Sequence, residues 1–72
     1  MKKTYRLEDL ECANCAAKME QAIGKLDGVT AVNINFMQQR MILEADDARY
    51  DDILKKAQKA MRKIEPDVRV VL

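Results

Sequence analysis

Two cysteines stand two residues apart in Cys12-Ala13-Asn14-Cys15, and the 72-residue chain has no others. That spacing lets both sulfurs turn toward one point, where as thiolates they share a soft metal ion or exchange with a disulfide. A bridge between them would close too small a loop to staple anything distant, which excludes a disulfide framework. Glu11 immediately precedes the pair. Its carboxylate is either a solvated loop group or a candidate third ligand to the same ion, which would add a harder donor and a third negative charge. Two thiolates alone satisfy Cu(I), whereas Zn²⁺ prefers four ligands and accepts oxygen beside sulfur. With Cys12, Cys15 and Glu11 as metal ligands, Zn²⁺ or Cd²⁺ keeps one open position for water or a partner's ligand, which suits transfer better than storage.

Hydrophobic periodicity shows which elements position these side chains. Tyr5 and Leu7 alternate with polar residues from Lys3 to Glu8, as in a half-buried strand. After Asp9, Leu10 and Glu11 comes the cysteine loop, then Ala16, Met19, Ile23 and Leu26 at helical steps, with Asn14 a candidate cap. Asp27-Gly28 stops that helix, and Val32, Ile34 and Phe36 mark a second strand over 29–36. Met37-Gln38-Gln39 is read as a polar turn into a return strand, Arg40–Glu44, whose inward residue, Met41 or Ile42, the pattern leaves open. Asp46 and Asp47 precede a second helix striped by Tyr50, Ile53, Ala57, Ala60, Met61 and Ile64. Asp51 and Asp52 stand early in it and Arg62 and Lys63 late, matching its dipole. It ends near Pro66, and Val68–Leu72 is a last strand. The order is a split βαβ, and with right-handed crossovers it predicts an α+β, ferredoxin-like sandwich: a four-stranded antiparallel sheet with two helices on one face.

Composition limits the function. A chain this short is one domain, residues 1–72, without room for a deep catalytic cleft. Hydrophobic residues at 49% and charged residues at 35% support a packed core with a solvated surface. A net charge of +1 and the absence of histidine argue against nucleic-acid partners and remove most general-base mechanisms, so no catalysis is expected of this chain. No apolar run approaches the ~20 residues that span a bilayer. Met1-Lys2-Lys3-Thr4-Tyr5 leads into a charged segment and not a secretory one, so we expect a cytoplasmic domain with reduced thiols and no direct membrane contact. Lys55, Lys56, Lys59, Arg62 and Lys63 read as a solvated helix end, or a face for an acidic partner. Of the five methionines, Met19 and Met61 belong to helix stripes, and Met37 and Met41 are expected in the hairpin, away from the cysteine loop.

With loop and element order placed, the sequence resembles the heavy-metal-associated domain of metal-transporting P-type ATPases and their soluble metallochaperones. The similarity runs along essentially the whole chain: C-x-x-C between the first strand and helix, then Gly28-Val29, Val32, Ile34 and Asn35. The resemblance implies that Cys12 and Cys15 are metal ligands. Copper-handling members usually carry Gly-Met-Thr or Gly-Met-His before the first cysteine, whereas zinc, cadmium and lead exporters often carry an acid there, as Glu11 does. Cys-Ala-Asn-Cys is also similar to the form in bacterial cadmium-exporting ATPases. It implies a monomeric N-terminal domain of a longer ATPase resident in the cell membrane, carrying Zn²⁺, Cd²⁺ or Pb²⁺ and making transient contacts with other ATPase domains or a metal donor. The alternatives are a free-standing Cu⁺ chaperone and a thiol-disulfide oxidoreductase, although a thioredoxin-type chain is longer and continues as a parallel βαβ. Two departures stand out. Asp9-Leu10 replaces the usual Gly-Met, which restricts the backbone while Leu10 still supplies an apolar anchor. Glu65-Pro66-Asp67 stands where relatives place an aromatic residue or a lysine, making Glu65 or Asp67 further candidates to complete the shell.

Overall fold

Alternation in strand β1 (Lys2–Glu8) buries Tyr5 and Leu7 and exposes Thr4 and Arg6. In the computed structural model, which describes residues 1–72, the remaining elements are α1 (Ala13–Gly24), β2 (Val29–Asn35), β3 (Arg40–Ala45), α2 (Tyr50–Ile64) and β4 (Arg69–Val71). A short 3₁₀ turn, Asp47–Arg49, precedes α2, and Asp46 caps it by accepting from the Ala48 N–H at 3.2 Å. The four strands form one antiparallel sheet in the order β2-β3-β1-β4. This is the predicted ferredoxin-like order, with boundaries shifted by a residue or two.

Register decides what the sequence pattern left open in β3. Met41 pairs with Tyr5 on one side and Ile34 on the other; directly opposed residues share a face, so Met41 points into the core with Leu43 and Ala45. Ile42 takes the opposite face and is half-buried. A bulge between Val29 and Ala31 adjusts the edge strand. Both helices contribute to the same core: Ala16, Met19 and Ile23 from α1, and Tyr50, Ile53, Ala57 and Met61 from α2. Ala60 and Ile64 are half-buried. Inside this core the hydroxyls of Tyr5 and Tyr50 lie 2.8 Å apart. Tyr50 donates to the Leu43 carbonyl at 3.3 Å, so Tyr5 is the donor to Tyr50. Burial above all holds the Tyr50 phenol well above its ordinary pKa.

Two turns set the end of the molecule that carries the cysteines. Gly28 follows α1 at φ +93°, and a Cβ there would come within 2.7 Å of Arg49 Nη2 and of Ile53 Cδ1, so only glycine fits without displacement. Asp9, in place of the expected glycine, and Gln39 have the chain's left-handed non-glycine backbones, at φ 62° and 54°. The β2–β3 turn and the cysteine loop share one end of the sheet: Leu7 N–H donates to the Gln39 carbonyl at 2.7 Å. Antiparallel pairing of β1 with β3 brings the start of β3 beside the end of β1, so the turn of the hairpin that holds Met37 and Met41 stands at the same end of the sheet as the cysteine loop. Met41 is fully buried in the core, while Met37 at the turn is 87% exposed.

The outer edge of β2 is not bare. Glu20 of α1 accepts the Ile34 N–H at 2.9 Å, taking a position that a further strand would otherwise use.

Candidate metal centre

The cysteine loop ends in a helix cap made by a ligand-type residue. Cys12 is extended at φ −130°, ψ 116°, and its Sγ accepts the Cys15 N–H at 3.2 Å. Asn14, the expected cap, lies inside the first turn instead. The usual capping residues carry oxygen, so a sulfur cap is easily missed from sequence. The first turn of α1 holds no acidic side chain, leaving the positive helix pole to be met by Cys12 alone. Both thiols are reduced and half-buried.

Their electrostatics are opposite. The Cys12 thiol is held below its ordinary pKa, first by the hydrogen bond from the Cys15 side chain and then by the Cys15 N–H; partial burial opposes this, the Asn14 N–H assists, and the charge of Glu65 opposes. Cys15 is raised, first because it donates to Cys12, then by burial and by the charges of Cys12 and Glu65, with Lys18 pulling the other way. The two thiols titrate as a coupled pair in which Cys12 is the more readily deprotonated. Limiting iodoacetamide at neutral pH should therefore modify Cys12 ahead of Cys15 in the reduced, metal-free protein. Peptide mass mapping reads the order, and labelling that starts at Cys15 contradicts it.

A carboxylate approaches from α2. Glu65 ends that helix with φ −139°, ψ 101°, the extended geometry required before Pro66. Its Oε1 accepts the Glu11 N–H at 3.4 Å, while its Oε2 is buried with no hydrogen-bond partner. An unpartnered buried carboxylate oxygen is costly and calls for a donor or a cation. The structure thus brings Cys12 and Cys15 together and sets Glu65 against the loop. The side chains of Glu11 and Asp67 are exposed. No three thiol or carboxylate side chains converge closely enough in this conformation to enclose an ion.

Leu10 is 3% exposed and anchors the loop as expected. One contributor had no signal in sequence: Gln39, read only as a turn residue, hydrogen-bonds both backbone groups of Leu10. On α2, Lys55, Gln58, Lys59, Arg62 and Lys63 line a shallow basic groove. No helix is long and apolar enough to cross a membrane.

Residues 4–67 match the family model described as the heavy-metal-associated domain. A cadmium, zinc and cobalt-transporting ATPase of Bacillus subtilis is 30% identical over 70 residues, covering 97% of this chain but 10% of the ATPase, so the chain spans about a tenth of that relative's length. The COP-associated protein of Helicobacter pylori is 26% identical over 57 residues, 79% of this chain and 86% of that protein. Among solved structures, a CopZ metallochaperone superposes with a TM-score of 0.76 at 21% identity, covering 99% of this chain and 100% of its own. At that identity the likeness speaks for the fold.

Proposed function

The chain belongs to the heavy-metal-associated domain family, and from that premise we propose that it carries a soft divalent ion, Zn²⁺, Cd²⁺ or Pb²⁺, as the metal-binding domain of an exporting P-type ATPase. Cys12 and Cys15 are the sulfur ligands. Two carboxylates are candidates for the harder donor: Glu11 by sequence position and Glu65 by geometry. The observation that carries the divalent assignment is the buried, unpartnered Oε2 of Glu65 beside the loop. Two thiolates and a carboxylate concentrate three negative charges. A monovalent ion leaves two of them uncompensated in a partly desolvated place, and a divalent ion leaves one. Ligation also gives Glu65 Oε2 the partner it lacks.

The incomplete protein shell fits handover. An incoming donor or acceptor takes the open position before the departing ligands let go, so the ion is never released to water. The basic groove on α2, the helix that ends at Glu65, suits an acidic surface on another ATPase domain or a metal donor. Placement in an ATPase draws on the similarity to the Bacillus subtilis cadmium, zinc and cobalt transporter.

Competition with a chelator of moderate strength at neutral pH tests the metal assignment. Zn²⁺ and Cd²⁺ are expected to compete. Glu65→Gln should weaken Cd²⁺ by at least about tenfold, the least that loss of even a supporting group costs, and Glu11→Ala should weaken it less. Tight Cu⁺ binding with no competition from the divalent ions, indifferent to both substitutions, would overturn the divalent reading in favour of a copper carrier. Coding sequence beyond Leu72 tests the ATPase placement, since membrane-spanning segments and a phosphorylatable aspartate are expected there.

A further inference from the structure

Gln39 makes an unusual set of contacts for a turn residue. Its side-chain Oε1 accepts the Leu10 N–H at 3.2 Å, and its Nε2 donates to the Leu10 carbonyl at 2.7 Å and to the Phe36 carbonyl at 2.8 Å. Its own carbonyl accepts the Leu7 N–H at 2.7 Å. One residue therefore grips the incoming chain on both sides of Glu8 and Asp9.

Leu10 has no backbone hydrogen-bond partner: β1 ends at Glu8, α1 begins at Ala13, and none of the loop and turn bonds involves it. Its N–H and C=O, carried by a residue only 3% exposed, are satisfied by the Gln39 amide. The primary amide, with one donor and one acceptor side by side, replaces the neighbouring strand that Leu10 lacks. The grip also has a cost. Gln39 holds φ 54°, a left-handed backbone that is strained for a residue with a Cβ and that glycine would adopt freely. Glutamine therefore occupies a position where backbone conformation alone favours another residue.

We propose that Gln39 is a positioning residue for the metal loop. By docking the Leu10 backbone, it fixes the approach of Glu11 and Cys12 to the start of α1, so that Cys12 reaches the cap position and its sulfur meets the Cys15 N–H. Cys12 follows Leu10 by two residues, and the left-handed Asp9 just before Leu10 makes the chain's entry sensitive to what holds it. Asparagine carries the same amide one methylene short, so it cannot span to both Leu10 groups from the same backbone. The inference rests on the proposal that Cys12 and Cys15 hold the ion.

The test uses Gln39→Gly, which removes the amide and relieves the left-handed backbone, and Gln39→Glu, which keeps the length but sets a second acceptor against the Leu10 and Phe36 carbonyls. In the metal-free protein, amide hydrogen exchange should accelerate at Leu10 and, as the mark of positioning, at Cys15, whose N–H is protected by Cys12 Sγ. With Cd²⁺ as the probe, both variants should bind about ten- to a hundredfold more weakly and show an altered thiolate-to-metal charge-transfer band, while Gln39→Gly keeps its Tm within about 8 °C. Unchanged Cys15 exchange in both variants, or unchanged Cd²⁺ affinity and spectrum, would overturn the positioning role. Failure of the unsubstituted protein to bind Cd²⁺ would defeat the metal proposal instead, leaving the exchange measurement to decide whether Gln39 places Cys12.

Discussion

Replacing Cys12 with serine should lower Cd²⁺ or Zn²⁺ affinity by more than about a hundredfold while leaving the domain folded. The loss must exceed that of an outer supporting group, about ten- to a hundredfold, because half of the sulfur set is removed. Folding survives because Cys12 is the cap of α1, and serine is among the best residues for that position, so the Cys15 N–H keeps an acceptor. Cys12→Ala separates the two roles: it loses the metal equally and should also lose about 1 kcal/mol of stability. Isothermal titration in competition with a chelator reads affinity, and thermal melts of the metal-free variants read the cap. A Cys12→Ser protein that bound Cd²⁺ within tenfold of the parent would remove Cys12 from the ligand set. The pH dependence has a definite sign. With the Cys12 pKa lowered and that of Cys15 raised, ion binding between the two values expels one proton, so affinity climbs with pH and flattens only above the Cys15 value. Below the Cys12 value two protons must leave and the climb steepens.

Leu43→Ala should produce the largest stability effect. Leu43 is 0% exposed in β3, between β1 and β2, and truncating such a leucine costs about 2–5 kcal/mol. A domain of this length has only a few to about ten kcal/mol in total, and each one moves Tm by about 4–8 °C, so a fall of more than about 8 °C is expected. Saturating Cd²⁺ should raise Tm by the same increment in this variant as in the parent, since an ion at a hundred times its Kd adds about 2.7 kcal/mol wherever the site is intact. Cys12→Ser should show the reverse, with a near-normal metal-free Tm and no increment. Calorimetric scans with and without the ion therefore separate a core residue from a ligand.

The architecture was legible because it depends on periodicity. Tyr5 and Leu7 in β1, Met19 and Ile23 in α1, and Ile53, Ala57 and Met61 in α2 all face the core as their spacing required. The direction of β3 was not legible, since Met41-Ile42-Leu43 is apolar throughout and only pairing with Tyr5 and Ile34 selects a face. Within the candidate site the cysteines were plain from their own spacing. The cap was not legible, because Asn14 carries the oxygen acceptor that caps usually use and Cys12 caps with sulfur. Glu65 stands where relatives differ, but its orphaned oxygen exists only after α2 and the loop have met. Gln39 lies 29 residues from Leu10, and no local pattern announces a contact formed by side-chain reach across two turns.

The carboxylate of Glu20 over the Ile34 amide bears on how such a domain keeps company. In the handover proposed for it, the domain approaches other proteins repeatedly. An open β2 would invite those partners to anneal strand to strand, turning each visit into a long-lived complex or the start of a fibril. With an anion already seated where a visitor's carbonyl would go, annealing along β2 is opposed at that position.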